Sequence, residues 1–199
     1  MTPAHPAAAG PLSGIRVVDL TQVVSGPAAM GTLASQGAEV IKVEALSGDV
    51  TRRSRQKSPG FAPSYIACNS GKQAIALDLK NPATADILWR LIERADVFAQ
   101  NFRPGAIERL GFGAEAVMAR NPKLVYLSIN GVGETGPYAS KRVYDPIIQA
   151  LSGMAHIQAD PTSGRPKMVR TLVADKITAI YAAQAVTAAL VARGQSGAG

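Results

Sequence analysis

The chain has 199 residues, of which 47% are hydrophobic and 18% charged, and its formal net charge at pH 7 is +7. This composition excludes a disordered chain and indicates a globular protein that is long enough to bury a core. With one cysteine, Cys68, and two histidines, the sequence excludes a disulfide framework and offers no credible zinc site, so we expect no metal and a reducing, cytoplasmic location.

The excess of positive charge indicates acidic partners, and nucleic acid is the first class to consider. The only dense basic cluster in the sequence comprises Arg52, Arg53, Arg55 and Lys57. Aromatic residues make up 5% of the chain, too few for the stacking platforms of single-strand binders. A phosphate-bearing small ligand explains the same charge, so a nucleic-acid-binding module and a small-molecule enzyme both stay open on composition.

The first part of the sequence alternates apolar runs with segments of small residues. Residues 1–11 lack the basic and apolar regions of a signal peptide and are interpreted as a flexible leader. Strands are predicted at 14–20 and 38–44, with a helix between them that stops at Gly37. Residues 46–64 are rich in Gly, Ser, Pro and Arg and predict a long polar loop, a kind of segment that is usually functional or mobile.

The alternation continues beyond this loop. A third strand is predicted at 73–79, and the helix after it begins near Pro82. The apolar face of that helix comprises Ile87, Leu88, Leu91 and Ile92. Two more strands are predicted at 96–101 and 123–130, and two short helices at 103–112 and 113–122. This βαβ alternation predicts an α/β fold with a mostly parallel sheet covered by helices on both faces.

Two features suggest chemistry at first sight. Residues 131–136, GVGETG, follow a predicted strand and match the dinucleotide-binding pattern G-x-G-x-x-G. That site needs a helix at the glycines and an acid about twenty residues further on, whereas Pro137 and a polar segment follow here, so we favour a glycine-rich turn or an active-site flap. Cys68 and His156 suggest a thiol–imidazole pair, but a core cysteine and a surface histidine are the simpler interpretation.

The apolar segment at 172–192, LVADKITAIYAAQAVTAALVA, carries an acid, Asp175, close to its start. Only sixteen residues separate Lys176 from Arg193, fewer than the roughly twenty that span a membrane, so a buried or interface helix is expected. Asp175 has two interpretations. It is either a first-turn carboxylate favoured by the helix dipole, or a carboxylate held where chemistry needs it.

Six motifs then occur in one order along the chain. They are LSGIRVVDLTQVVSGPAAMGTLASQGAEVIKVE, NSGKQAIALDLK, VFAQNFRPGAIERLGF, NPKLVYLSINGVGETGPY, YDPIIQALSG and LVADK. Over 12–193 the sequence resembles the family III CoA-transferases, or CaiB/BaiF family, which includes formyl-CoA transferase, the carnitine CoA-transferase and α-methylacyl-CoA racemase. The resemblance implies that the fold is a Rossmann-like large domain and that the substrates are acyl-CoA and a small carboxylic acid. It also implies that the protein forms an interlocked homodimer and binds neither nucleic acid nor membrane.

The resemblance also assigns Asp175, which occupies the position of the family nucleophile. The family mechanism implies that this aspartate attacks the acyl-CoA thioester to form a mixed anhydride. The released CoA thiolate then gives an aspartyl-CoA thioester, and the acceptor carboxylate is acylated in turn. This is covalent catalysis by a carboxylate, which divides one difficult exchange into easier steps.

The CoA site is implied by the same resemblance. Val24 and Ser25 match residues whose backbone lies along CoA. The further matching positions are Leu77 to Lys80, Asn101, Phe102, Arg103, Arg109, Arg142 and Tyr144. Among them Lys80, Arg109 and Arg142 can meet phosphates through charge-assisted hydrogen bonds.

One position departs from the family pattern. Ala45 stands where formyl-CoA transferase has an arginine near the nucleotide. Either Arg52 or Arg53 substitutes for that arginine, or the phosphate contact is missing.

The racemase branch offers an alternative activity. Racemases use a histidine directly before the aspartate that corresponds to Asp145, paired across the α-carbon with the equivalent of Asp175. Here that position is Tyr144, whose ordinary pKa near 10 suits a proton shuttle poorly, and His156 is displaced in sequence. Transferase is therefore favoured over racemase.

Family members are considerably longer than this chain and have a second, smaller domain. We therefore expect 12–193 to be the N-terminal part of the large domain and 194–199 to begin a Gly-rich linker toward an absent second domain. A glycine-rich loop over the aspartate would belong to that absent part. On this expectation the chain is a fragment or one half of a split enzyme.

Overall fold

The computed structural model describes residues 10–53 and 62–199 of the chain. Its centre is a five-stranded sheet in which every neighbouring pair of strands is parallel. The strands are β1 (Arg16–Asp19), β2 (Glu39–Glu44), β3 (Gln73–Ala76), β4 (Val97–Gln100) and β5 (Val125–Ser128). The predicted parallel α/β architecture is confirmed.

Helices connect the strands and cover both faces of the sheet. They are α1 (Ser25–Ser35), α2 (Pro63–Asn69), α3 (Pro82–Ile92), α4 (Ala106–Arg109), α5 (Ala114–Arg120), α6 (Asp145–Leu151), α7 (Met154–Ile157) and α8 (Val173–Ser196). Helices α2, α3 and α6 carry a proline in their first turn, where its fixed φ is suitable and its missing N–H has no consequence.

The strand order is β3-β2-β1-β4-β5. After β1, the chain forms β2 and β3 on one side of β1. It then returns and forms β4 and β5 on the other side of β1. The order therefore reverses between β1 and β4. At such a switch point open α/β sheets form a crevice outside the carboxyl ends of their strands, which is where they bind ligands.

Strand β1 shows how the two faces are built, because successive side chains point to opposite faces of a sheet. Val17 belongs to a core cluster with Met30 of α1 and with α8. Val18, its neighbour, belongs to a second cluster with Leu88 of α3 and Phe112. All five side chains are fully buried. Full burial of side chains of this kind stabilises the fold by about 1.5–3 kcal/mol each, and it explains why two apolar residues, Val17 and Val18, are adjacent in β1.

The segment at 46–64 contains more regular structure than predicted. A 3-10 turn follows β2 and α2 begins soon after the undescribed residues. Helix α2 is anchored by the buried Tyr65, whose hydroxyl donates to Glu44 Oε1 at 2.8 Å. This contact joins distant parts of the chain, so the local composition does not reveal it. Two members of the predicted basic cluster, Arg55 and Lys57, lie outside the described residues.

The glycine-rich residues 131–136 form bends and open no helix. Gly133 and Gly136 have φ angles of +90° and +92°, a region that favours glycine. The next helix, α6, starts only at Asp145. The predicted glycine-rich turn agrees with this geometry, and the helix that a dinucleotide site would need is not there.

Helix α8 is the longest helix of the described chain, with 24 residues, and Gly197 ends it in a left-handed conformation. A helix was predicted over 172–193, and the structure continues it to Ser196, into the segment expected to begin a linker. By length and composition alone, α8 is the one described helix apolar enough to cross a membrane, a test that core helices of soluble proteins also pass. Its buried face consists of Ala179, Ala182, Ala183 and Val186.

The C-terminal end of α8 contacts the edge of the sheet at which the strands begin, opposite to the edge formed by their carboxyl ends. Arg193 Nη1 lies 2.9 Å from Asp96 Oδ1, and it also donates to the carbonyl oxygen of Lys123 at 3.2 Å. The other oxygen of Asp96 accepts from the backbone N–H of Arg16, the first residue of β1, at 2.8 Å. This ion pair therefore connects α8 to the amino edge of the sheet.

Candidate functional site

A cavity of about 470 Å³ opens where the strand order reverses. Its wall is formed by the segments that follow β1, β4 and β5, together with the first turns of α6 and α8. This is the crevice that the switch point predicts. The predicted site residues that line it are Ser25, Asn101, Phe102, Arg103, Arg142, Tyr144 and Asp175.

Asp175 lies half-buried in the first turn of α8, on the wall of the cavity. Ser25, at the start of α1, lies on the wall of the same cavity. Burial, followed by the negative charge of Asp145, raises the pKa of Asp175, and the interaction with the side chain of Ser25 opposes this rise. Both interpretations of Asp175 are compatible with this geometry, because the residue is a first-turn carboxylate and it also faces the cavity.

A second carboxylate, Asp145, supports the first. It is the first residue of α6, it is buried, and its Oδ2 accepts from the backbone N–H of Asp175 at 3.1 Å. Leu172, at the N-cap position of α8, gives no side-chain hydrogen bond to the helix. Asp145 therefore supplies from another helix the acceptor that a capping residue ordinarily provides.

Gln149, one turn further along α6, extends this support to the segment before α8. Its Nε2 donates to Asp145 Oδ1 at 2.5 Å and to the carbonyl oxygen of Thr171 at 3.3 Å. Its Oε1 accepts from the N–H of Val169 at 2.8 Å. Because Gln149 is only 2% exposed, these bonds are shielded from water and hold the approach to Asp175 firmly.

Comparison with known proteins now assigns the family. A family model described as CoA-transferase family III matches residues 12–199. The chain belongs to this family. The predicted membership of the CoA-transferases is thereby confirmed.

Two relatives and one solved structure illustrate how similar this family III chain is to known members. It is 42% identical to the succinate–glutarate CoA-transferase of Agrobacterium fabrum, over 95% of this chain and 49% of the relative. It is 39% identical to the formyl-CoA:oxalate CoA-transferase of Streptomyces avermitilis, over 94% of this chain and 46% of the relative. The crystal structure of a CAIB/BAIF family protein from Brucella suis matches with a TM-score of 0.92 and 36% identity, over 96% of this chain and 52% of that one. The chain spans about half the length of the curated relatives it matches.

Four of the CoA-binding residues predicted for this family III chain do not line the cavity. They are Val24, Leu77, Lys80 and Arg109. The side chain of Leu77 is buried in the core cluster that contains α3, so only its backbone can face a ligand. Lys80 and Arg109 are exposed, Lys80 just before α3 and Arg109 at the end of α4. Their CoA contacts stay predictions for a part of the ligand that extends beyond the cavity.

The position of the family's nucleotide-contacting arginine is occupied by Ala45, which is exposed directly after β2. Of the two suggested substitutes, Arg52 already bonds Glu44 through Nε and Nη2 at 2.6 and 3.0 Å, and its guanidinium lies 4.3 Å from the centre of the Tyr65 ring. Arg53 is exposed. A phosphate contact by either arginine stays a prediction.

The thiol–imidazole pair considered from the sequence does not form a site on this cavity. Cys68 is half-buried in α2 and burial raises the pKa of its thiol, while His156 is exposed on α7, and neither lines the cavity wall. Within 10–53 and 62–199, no group of three or more His, Cys, Asp and Glu side chains is arranged to hold a metal ion. The acid directly available to the cavity chemistry is Asp175, with Asp145 behind it.

The sequence did not predict roles for Asp145 or Gln149. Asp145 was noted only as the neighbour of Tyr144 in a motif that distinguishes racemases. Its bond to Asp175 spans 30 residues, and that of Gln149 to Thr171 spans 22. The only available signal was that Asp145 and Gln149 both belong to one motif of the family resemblance, YDPIIQALSG.

Proposed function

We propose that the protein transfers CoA between an acyl-CoA thioester and a small carboxylic acid, with Asp175 as the covalent nucleophile. The observation that carries this proposal is the position of Asp175. It is a half-buried carboxylate on the wall of a cavity at the switch point of a family III chain, beside the cations Arg103 and Arg142. The relatives at 36–42% identity carry the names of CoA-transferases.

The reaction proceeds by four acyl transfers. The Asp175 carboxylate attacks the thioester carbonyl, the C–S bond breaks, and CoA thiolate leaves a mixed anhydride on Asp175. The thiolate then attacks the aspartyl carbonyl and releases the donor acid, giving an aspartyl-CoA thioester. The acceptor carboxylate attacks this thioester, and the thiolate finally attacks the acceptor's acyl carbonyl in the new anhydride, which regenerates Asp175. No net proton is exchanged, because a carboxylate enters and a carboxylate leaves.

The geometry supports a role for each side chain around Asp175. Ser25, which lines the same cavity, would donate to the carboxylate and orient it. Asp145 fixes the backbone of Asp175, and so the direction of its side chain. Arg103 and Arg142 present positive charge to the phosphates or to the acceptor carboxylate.

Trapping the intermediate tests the proposed function. The intact protein incubated with acyl-CoA and then with borohydride or hydroxylamine should carry a modification at Asp175, because the anhydride and the thioester are electrophilic. Lys176 is the rival site, since an amine is also acylated, and its Nζ lies 2.6 Å from Thr171 Oγ1 on the exposed side of α8. Peptide mapping decides between them. A label on Lys176 alone would contradict the proposal, and the Lys176→Met protein should still be trapped at residue 175.

CoA recognition gives a second prediction. Alanine substitution of Arg103, Arg142, Lys80 or Arg109, one at a time, should weaken CoA binding by about 1.5–3 kcal/mol each, or roughly 10- to 150-fold. The reason is the loss of a charge-assisted hydrogen bond to phosphate. Calorimetric titration of the intact protein with CoA measures the effect.

The matched control for these variants is Arg90→Ala, an exposed cation of α3 that does not line the cavity. It should leave CoA binding unchanged. If only the Arg103→Ala and Arg142→Ala variants bind CoA more weakly, the nucleotide does not reach Lys80 or Arg109. Unchanged affinity in all four variants would contradict the proposed binding face.

The pH dependence of exchange gives a third prediction. Attack requires ionised Asp175, so the rate should fall as the pH decreases through the raised pKa of this group. Asp145→Asn removes a negative charge but keeps an oxygen acceptor for the Asp175 N–H. The pKa of Asp175 should therefore fall, and the acidic limb of the rate profile should move to lower pH. The surface substitution Asp160→Asn is the control and should leave the limb in place, whereas an unmoved limb in Asp145→Asn would contradict the coupling.

We also propose that the intact protein is a cytoplasmic, interlocked homodimer that binds neither nucleic acid nor membrane. The support is the outward face of α8, where large apolar side chains face solvent. Ile180, Tyr181 and Val191 are 70%, 69% and 66% exposed. Ile177 and, from α6, Leu151 are also exposed. A second copy of the chain would remove this surface from water.

A further inference from the structure

The turn between β1 and α1 is held by side chains from other parts of the fold. The N–H of Thr21 donates to Asp19 Oδ1 at 2.9 Å, and the carbonyl oxygen of Thr21 accepts from Lys42 Nζ at 2.7 Å. The N–H and carbonyl oxygen of Gln22 bond Oδ1 and Nδ2 of Asn101, each at 2.8 Å. Each of these main-chain groups of the turn is bonded to a side chain, and not to the main chain of a strand or helix.

The next residue of the turn, Val23, has a φ of +72° and is the one non-glycine residue with positive φ within 10–53 and 62–199. For a β-branched residue this conformation is a genuine outlier, because Cβ crowds the backbone. The N–H of Val23 is directed at Asp49 Oδ2, at 3.3 Å. Strained backbone of this kind persists only where the surroundings determine it, and it concentrates at functional sites.

The surroundings that determine it are a buried ion pair. Lys42 Nζ lies 3.3 Å from Asp49 Oδ2, and the two side chains are 1% and 0% exposed. The other oxygen of Asp49 accepts from the N–H and the hydroxyl of Thr51 at 2.8 and 2.7 Å. A buried ion pair contributes little stability compared with apolar residues of similar size. What this pair does supply is a donor for Thr21 and an acceptor for Val23.

The turn belongs to the wall of the proposed active site. Gln22, Val23 and Ser25 all line the cavity on whose wall Asp175 also lies, and the side chain of Ser25 lowers the pKa of that carboxylate. The turn and the start of α1 also pack too closely to move separately, because a Cβ on Gly26 would lie 2.3 Å from Thr21 Cβ. A change of φ at residue 23 would therefore displace Ser25.

We propose that the Lys42–Asp49 pair is a positioning device, which holds Val23 in its left-handed conformation and so places Ser25 against Asp175. This inference rests on the proposed transferase function for its effect on rate, but its geometric part does not depend on that function. None of Lys42, Asp49 or Val23 touches the reacting atoms. Their role is to fix the turn that carries the residues that do.

A double-mutant cycle in the intact protein tests this role. The pair is neutralised by Lys42→Met together with Asp49→Leu, which removes the donor to Thr21 and the acceptor for Val23 and leaves no unpaired charge buried. In the presence of Val23, this change should lower kcat/KM for acyl exchange at least tenfold at a temperature well below the melting transition of each variant. In the Val23→Gly background, the same change should lower it less than threefold, because glycine adopts positive φ without strain. In the Val23→Ala background, the loss should stay large, because alanine keeps the Cβ.

The φ angle at residue 23 in crystal structures of these variants provides a readout that is independent of activity. It should become negative when the pair is neutralised beside Val23, and stay positive beside the Val23→Gly substitution. Equal rate losses in all backgrounds, or a φ that stays positive with the pair neutralised, would overturn the inference. If the wild type exchanges no acyl group, the proposed function fails while the φ angle still decides the positioning role. Should the doubly neutralised protein not fold, Lys42→Leu combined with Asp49→Asn, which also leaves no charge buried, provides the same comparison.

Discussion

Replacing Asp175 with asparagine in the intact protein should abolish acyl exchange, lowering kcat by about 10³-fold or more, the scale expected for loss of a covalent nucleophile. The amide is nearly isosteric with the carboxylate but is not nucleophilic toward a thioester. Folding should survive, because Asp145 bonds the backbone N–H of residue 175, which the substitution leaves intact. Initial rates of exchange and the melting temperature of the same preparation measure the two effects separately.

The asparagine variant also separates the two interpretations of this acid. A carboxylate that served only the start of α8 would tolerate asparagine with a modest loss, because asparagine is itself well accepted at helix N-termini. Asp86→Asn, on the exposed surface of α3, is the matched control and should retain full activity. An active Asp175→Asn protein combined with an inactive Lys176→Met protein would transfer the nucleophile to the lysine and refute the mechanism.

The second large effect concerns stability. Lys72→Met should lower the free energy of unfolding by about 3–5 kcal/mol, because it leaves Asp19 buried and unpaired. The two groups lie 2.8 Å apart, with side chains that are 1% and 0% exposed. Lys72 also donates to the carbonyl oxygen of Pro27 at 2.8 Å and to Asn69 Oδ1 at 3.0 Å. Urea unfolding of the intact protein measures the loss.

Two further variants show whether the loss comes from the unpaired charge. Lys72→Met combined with Asp19→Asn should recover part of the stability, because no buried charge remains. Lys167→Met breaks an exposed pair with Asp160, in which the side chains are 56% and 29% exposed, and should leave the urea midpoint of unfolding nearly unchanged. Equal losses for Lys72 and Lys167 would contradict the importance of burial.

The fold could be predicted from the sequence where local pattern decides the structure. The five strands are short runs rich in β-branched and apolar residues, and their alternation with helices leaves few arrangements other than a parallel sheet. Helix α2 was missed, because what fixes it is the contact of Tyr65 with Glu44 and not its local composition. Helix α6 was recognised only as a family motif, since it is short and its apolar side chains Ile147 and Leu151 are largely exposed.

The candidate site was predictable only in part, because contacts between residues that are distant in sequence fix it, as they fix α2. Asp175 and the cavity arginines belong to motifs that the sequence shows directly. The contacts that fix the surrounding structure could not be predicted, because ion pairs such as Lys72 with Asp19 join residues 53 positions apart. In β2, Lys42 occupies a position that reads as the polar face of a strand, yet it is 1% exposed. Local periodicity cannot distinguish a solvated lysine from one that bonds a distant carbonyl group.

Helix α8 is fixed at both of its ends, and this limits how the site can adapt. Near its first turn Asp145 bonds Asp175, and in its last turns Arg193 pairs with Asp96, at the amino edge of the sheet. The helix between these anchors is about 27 Å long, at 1.5 Å per residue. Sliding it along its axis would break both anchors together. Under the proposed function, acyl groups of different size would therefore be accommodated by the surrounding walls, while Asp175 keeps a constant position in the frame of the sheet.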